Sequence, residues 1–169
     1  MTQHQEPAVT FALRTGRAYT AETELLDHAE AWRAALAANE NLEGILTIQA
    51  GEEEIHIEDD LDATVQNLCL RATVELLAGR EARMLYFCCA GELILRPEGA
   101  EVRISGDFLT MEVVLPLRAL VRSLIESARR FLHLLGVMNN PRHVLLIVLL
   151  QEQLDTADAA WLATEGAKA

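Results

Sequence analysis

The stretch from Leu115 to Gly136, LPLRALVRSLIESARRFLHLLG, constrains the fold more than any other. Leu117, Leu120, Val121, Leu124, Ala128, Phe131, Leu132 and Leu135 recur at helical spacing, so they form one wide apolar face. Arg118, Arg122, Glu126, Arg129, Arg130 and His133 cover the rest. Pro116 suits the first helical position, where its missing N–H costs nothing. Gly136 suits the residue just past the end. An apolar stripe this broad needs a large surface to cover it, and a sheet is the expected one.

The chain has 169 residues, of which 51% are apolar, so a single domain can bury a core without disulfides or metals. The expectation is one α+β domain over residues 1–169, with 1–7 and 165–169 loose. Its net charge of −12 repels phosphates, which excludes nucleic acid as a partner and favours basic proteins. No cationic segment followed by an apolar run opens the sequence, so no leader is expected. The longest apolar run, Val144 to Leu150, falls far short of the ~20 residues that span a bilayer. The three cysteines, Cys69, Cys88 and Cys89, make no disulfide framework. They read as small buried hydrophobes of a protein in the reducing cytoplasm.

Taken in order, Ala8 to Leu13 predicts a strand with a turn at Thr15-Gly16. Thr20 is placed to cap a helix with Leu25, Ala29, Trp32 and Leu36 on its buried face, ending at Asn39 to Asn41. Ile45 to Gln49 and Glu54 to Glu58 alternate around Ala50-Gly51 and predict a hairpin with one wet face. Asp59 or Asp60 caps the next helix, marked by Leu61, Val65, Leu68, Ala72 and Leu76 and closed by Gly79. Residues 82–115 read as an antiparallel meander. Arg83 to Cys89 is its central strand, and Leu93 to Arg96 follows a turn near Ala90-Gly91. Pro97-Glu98-Gly99 is a turn, Glu101 to Ser105 points Val102 and Ile104 inward, and Leu109 to Leu115 comes last. After the break at Asn139-Asn140-Pro141, the segment His143 to Leu150 is apolar all round. Strand and helix both fit it; helix is favoured because Ile147, Leu150, Leu154, Ala157 and Trp161 continue one face. The fold class is therefore α+β, an antiparallel sheet of hairpin plus meander with helices mainly on one face. All-round apolarity in the last helix calls for a cover on its second side, which a homodimer supplies.

Seven acids fall within eleven positions, Glu52, Glu53, Glu54, Glu58, Asp59, Asp60 and Asp62. A solvated hairpin edge and helix start accounts for them; an acidic docking surface for a basic protein is the functional alternative. Glu54, His56 and Glu58 share one strand face, but a closed set of metal ligands is not visible, so no metal is expected. With Cys88-Cys89 in a strand, the two thiols point to opposite faces and cannot act as a redox pair. No base can be placed beside either, so a catalytic cysteine is not expected. Ser105-Gly106-Asp107 is turn chemistry rather than a nucleophile elbow. Arg118, Arg122 and Arg129, extended by His133, offer an anion stripe; against it stand the i, i+4 pairs Arg122–Glu126 and Glu126–Arg130.

The segments EEEIHIEDDLD, YFCCAGELILRPEGAEVRISG and RALVRSLIESARRFLHLLG, within about residues 43 to 136, resemble in layout the small acidic immunity proteins of bacterial polymorphic-toxin systems. That resemblance implies a protein without enzymatic activity or cofactor, which neutralises a cognate toxin by occluding its active site. The contact residues expected for it are Glu52, Glu53, Glu54, Glu58, Asp59 and Asp60. The alternative is a homodimeric adaptor or structural component of a bacterial secretion or regulatory assembly, motivated by Val144 to Leu150. A third reading, an enzyme or small-molecule carrier, requires a cavity between sheet and helices.

Overall fold

The alternation around Ala50-Gly51 becomes a hairpin of β3 (Glu43–Ala50) and β4 (Glu53–Asp60) in the computed structural model, which describes residues 6–37 and 41–166. β1 (Ala8–Thr15) pairs with β3, and β2 (Ala18–Ala21) pairs with the second half of β1, giving the antiparallel order β2-β1-β3-β4. Rows of apolar residues cross this sheet on one face: Phe11, Leu46 and Ile57 form one, and Val9, Ile48 and Ile55 the next. A second antiparallel sheet, in the order β5-β6-β7-β8, is built from β5 (Ala82–Leu85), β6 (Glu92–Glu98), β7 (Glu101–Gly106) and β8 (Val113–Pro116). Its buried face carries the row Ala82, Leu95, Ile104 and Val113. The α+β class with antiparallel strands holds, and the strands are divided between two sheets, with hairpin and meander in separate ones.

Both apolar faces are covered by helices, and one continuous core joins them. α3 (Leu61–Thr64) packs on β3 and β4, and α4 (Ala72–Leu77) packs on β5 and β6. Between them the same helix widens into π-helical turns over Val65–Arg71, with the Ala72 N–H bonded to the Asn67 carbonyl. Leu68, Cys69 and Leu70 are all buried there, because this segment meets both α5 and α6. α5 (Leu117–Met138) contacts β1, β7 and β8, with Phe131 edge-on to Phe11 at 5.5 Å. α6 (Val144–Gly166) packs on α5, α4 and the π-helical segment.

Several boundaries differ from the sequence expectations for identifiable reasons. Thr20 does not cap a helix: it lies buried in β2 with its hydroxyl 2.5 Å from that of Thr15, and α1 (Glu22–Asp27) starts after Ala21. His28 interrupts the predicted helix, which resumes as α2 (Ala29–Ala37) with Leu36 buried. Most of the predicted end at Asn39 to Asn41 lies outside the described residues. Arg83 to Cys89 is no central strand, since β5 is a short edge strand that stops at Leu85. The turn expected at Pro97-Glu98-Gly99 falls at Gly99-Ala100, because Glu98 still pairs with Glu101. The last strand starts at Val113 rather than Leu109. Pro116 is the N-cap of α5, and Gly136 lies inside that helix; the stop is Asn139, left-handed at φ 49°. Asn140 then accepts the Arg142 N–H and starts a short 3-10 turn, Pro141–His143. His143 to Leu150 is helical apart from that turn residue, and α6 continues to Gly166.

Candidate functional site

β4 is an edge strand, and the six predicted acids are spread along it. Glu52, Glu53 and Glu54 are exposed at the hairpin tip, while Glu58, Asp59 and Asp60 lie at the far end, roughly 20 Å away at strand rise. Glu54, His56 and Glu58 share the outer face. His56 Nε2 lies 3.1 Å from Glu54, and its Nδ1 lies 3.1 Å from the Thr47 hydroxyl. Among the described residues, no group of three or more His, Cys, Asp or Glu side chains is arranged to hold a metal ion.

Asp59 is buried at 6% exposure, because it follows Ile55 and Ile57 on the inward side of β4, opposite Gly44. An inward carboxylate needs donors, and backbone supplies them. Asp59 Oδ2 accepts the Phe87 N–H at 2.6 Å, and Oδ1 accepts the N–H groups of Cys88 at 3.0 Å and Asp60 at 2.8 Å. Asp60 occupies the cap position of α3 without a side-chain capping bond. Asp60 is therefore the cap residue, one of the two acids expected there, while neither carboxylate makes a capping bond to the helix. The alternation Ile55-x-Ile57-x-Asp59 was the signal that Asp59 turns inward.

The loop after β5 and the end of the first sheet enclose a concavity of about 520 Å3. Glu43, Glu58 and Asp60 supply its carboxylates, Tyr19 and Phe87 its rings, and Cys88 part of its wall. Arg14 Nη1 pairs with Glu43 at 2.7 Å, and the Tyr19 hydroxyl donates to Glu58. That bond holds the Tyr19 phenol above its ordinary range. Asp60 is half-buried, and its carboxyl is raised by burial first and then by Asp62, Asp59 and Glu43. Phe87 is 69% exposed at the rim.

Cys88 and Cys89 are exposed on this loop, which overturns the expectation that all three cysteines are buried; only Cys69 is. The strand ends before them, so their side chains do not point to opposite faces: the sulfurs are 3.6 Å apart, with Cys88 donating to Cys89. Cys88 Sγ also lies 3.4 Å from the Glu58 carbonyl as a donor. These contacts, the Cys89 hydrogen bond foremost, push the Cys88 thiol up to about 11.

Sequence reasoning missed the apolar loop tips. Leu85, Phe87, Phe108 and Met111 are all more than half exposed. Phe108 stands edge-on to Tyr86 at 5.2 Å and covers Gly91, which has no Cβ to obstruct it. Large apolar residues beside the Ala90-Gly91 and Gly106-Asp107 turns were the available signal.

The arginines of α5 are engaged within the fold rather than free for an anion. Arg118 stacks on Trp161 at 4.5 Å and pairs with Glu165, Arg122 pairs with Glu6 at 2.8 Å, and Arg129 with Asp158 at 2.5 Å. Arg130 bonds Glu22 at 3.0 Å and the Val9 carbonyl at 2.6 Å, so the expected Arg122–Glu126 and Glu126–Arg130 pairs are replaced. Val9 needs this partner because β2 reaches only Ala12 of β1. Ser123 takes the Val9 N–H at 2.9 Å, which completes the strand edge.

No helix among the described residues is long and apolar enough to cross a membrane. Comparison with protein families, curated proteins and solved structures found no match to this chain.

Proposed function

We propose that the protein is a non-catalytic binding module that neutralises a basic partner, a cognate bacterial toxin, by seating on its active site. The observation that carries this reading is the crowding of Glu43, Glu58 and Asp60 around one concavity beside the exposed Phe87 ring. The Asp60 carboxyl is raised by burial first and then by Asp62, Asp59 and Glu43, so a cation brought to it would be favoured. A partner guanidinium relieves it with paired hydrogen bonds, and its stem packs on the Phe87 face. The hairpin-tip acids Glu52, Glu53 and Glu54 steer approach from farther away. The test is co-purification with the product of the adjacent gene, followed by titration of the purified pair. Glu58→Lys with Asp60→Lys weakens binding at least about 30-fold; unchanged affinity discards the site.

A homodimeric adaptor is the second reading, favoured by α6. Val144, Leu145, Val148 and Leu149 are 41–83% exposed on adjoining turns of it. Sedimentation at micromolar concentration tests it. Leu145→Glu, at the most exposed position of that face, dissociates the dimer; a strict monomer of the native chain ends this reading.

A further inference from the structure

The loop that carries Phe87 also carries two adjacent thiols that nothing above puts to use. Cys88 and Cys89 are both exposed, with sulfurs 3.6 Å apart. We propose that Cys88 and Cys89 form a reversibly oxidisable dithiol, closed into a ring disulfide by small disulfides of the glutathione type, and that closure resets the loop bordering the docking concavity. The regulatory half of this inference rests on the binding function proposed above; the chemistry at the thiols does not.

The hydrogen bond sets the order of events. Cys88 has one S–H to share between Cys89 Sγ and the Glu58 carbonyl, and Cys89 Sγ is on the receiving side, so Cys89 is the sulfur presented for attack. Cys89, on losing its proton, attacks one sulfur of the small disulfide; that S–S bond breaks, and the departing thiolate takes up the proton. Cys88 then loses its proton and attacks Cys89 Sγ in the mixed disulfide, which expels the second small thiol. The protein loses two electrons and two protons, and one small disulfide becomes two thiols. The sulfurs close from 3.6 Å to about 2.05 Å.

Two features make the bond reversible and give it a consequence. Neighbouring Cα atoms across a trans peptide are about 3.8 Å apart, below the usual disulfide span, so the ring is strained and readily reduced. The strain falls on the Cys88–Cys89 peptide, next to the Cys88 N–H that Asp59 holds at 3.0 Å and one residue from the Phe87 N–H held at 2.6 Å. Ring closure also draws Cys88 Sγ from the Glu58 carbonyl, and Glu58 and Cys88 both line the concavity.

The experiment treats the full chain with excess oxidised glutathione and reads intact mass under non-reducing conditions. The expected product has lost the mass of two hydrogens, carries no glutathione and returns to the starting mass with dithiothreitol. Cys88→Ser should stop at a single glutathione adduct, and Cys69→Ser should close the ring like the native chain. A lasting adduct on the native chain, cross-linked dimers or an unchanged mass overturns the proposal. Amide hydrogen exchange then reads the loop without any partner: oxidation should speed exchange at Cys88 at least tenfold, and no change there removes the coupling to Asp59. Affinity of the oxidised and reduced forms for the toxin completes the test. Ring closure and faster exchange without any toxin binding would end the binding function and leave the thiol chemistry standing; unchanged affinity in a genuine complex would end the regulatory role alone.

Discussion

Asp59 Oδ2 accepts the Phe87 backbone N–H at 2.6 Å across 28 positions of chain, so one carboxylate joins the end of β4 to the loop after β5. Removing it strands the Phe87 and Cys88 N–H groups. Asp59→Ala should therefore lower stability by about 3 kcal/mol, and Asp59→Asn, which keeps one acceptor oxygen, by about half of that. Urea unfolding of the three proteins measures both.

Glu22 is 7% exposed, and burial raises its carboxyl above the ordinary value even though Arg130 and the Phe11 N–H pull it down. A raised acid favours the folded state when protonated. Its contribution is complete below the ordinary value of 4.5 and is lost as pH climbs through the higher folded value. The stability of the native chain relative to Glu22→Gln should therefore fall as pH rises above 4.5. Urea titrations at several pH values give the difference; a flat one contradicts the assignment.

Two glycines accept a side chain very differently. A Cβ on Gly44 would sit 2.6 Å from the Ala12 carbonyl oxygen and 3.1 Å from Leu61, inside a sheet that cannot yield. A Cβ on Gly136, inside α5, would meet nothing within 4 Å. Gly44→Ala should cost about 3 kcal/mol, and Gly136→Ala should stabilise by about 0.5–1 kcal/mol. Thermal or urea unfolding separates them.

The two ends of β4 should act on different rate constants. Glu52→Lys, Glu53→Lys and Glu54→Lys together should slow association with a basic partner about tenfold and flatten its salt dependence, with dissociation nearly unchanged. Glu58→Lys should instead speed dissociation, since that acid borders the concavity itself. Surface-immobilised binding at two salt concentrations distinguishes them.

Periodicity was enough where a single face meets a single neighbour. The apolar stripes of α5, of Leu61 to Leu76 and of the β3–β4 hairpin all land on the core. Reading failed where tertiary partners decide. Cys88 and Cys89 looked like strand hydrophobes, yet the Asp59 carboxylate bends their backbone into a loop. Arg130 looked like a surface charge, yet a β2 too short to cover Val9 gives it a strand edge to complete. Asp59 counted as one acid among seven until its place in the β4 alternation was weighed. Nothing in sequence spacing says that the two sheets are separate, because β4 and β5 are joined only by side chains, helix and loop.

The π-helical turns at Val65–Arg71 fit one more residue into each turn than an α-helix holds. Deleting one of the seven and rewinding the rest to α-helix would leave all that follows nearly in phase, since an α-helix needs one residue fewer for the same rotation. Leu76 would keep its side toward the second sheet, whereas a deletion from the α-helical turns of α5 would rotate everything beyond it by about 100°. Val65–Arg71 is therefore the stretch of helix that should bear the loss of one residue best.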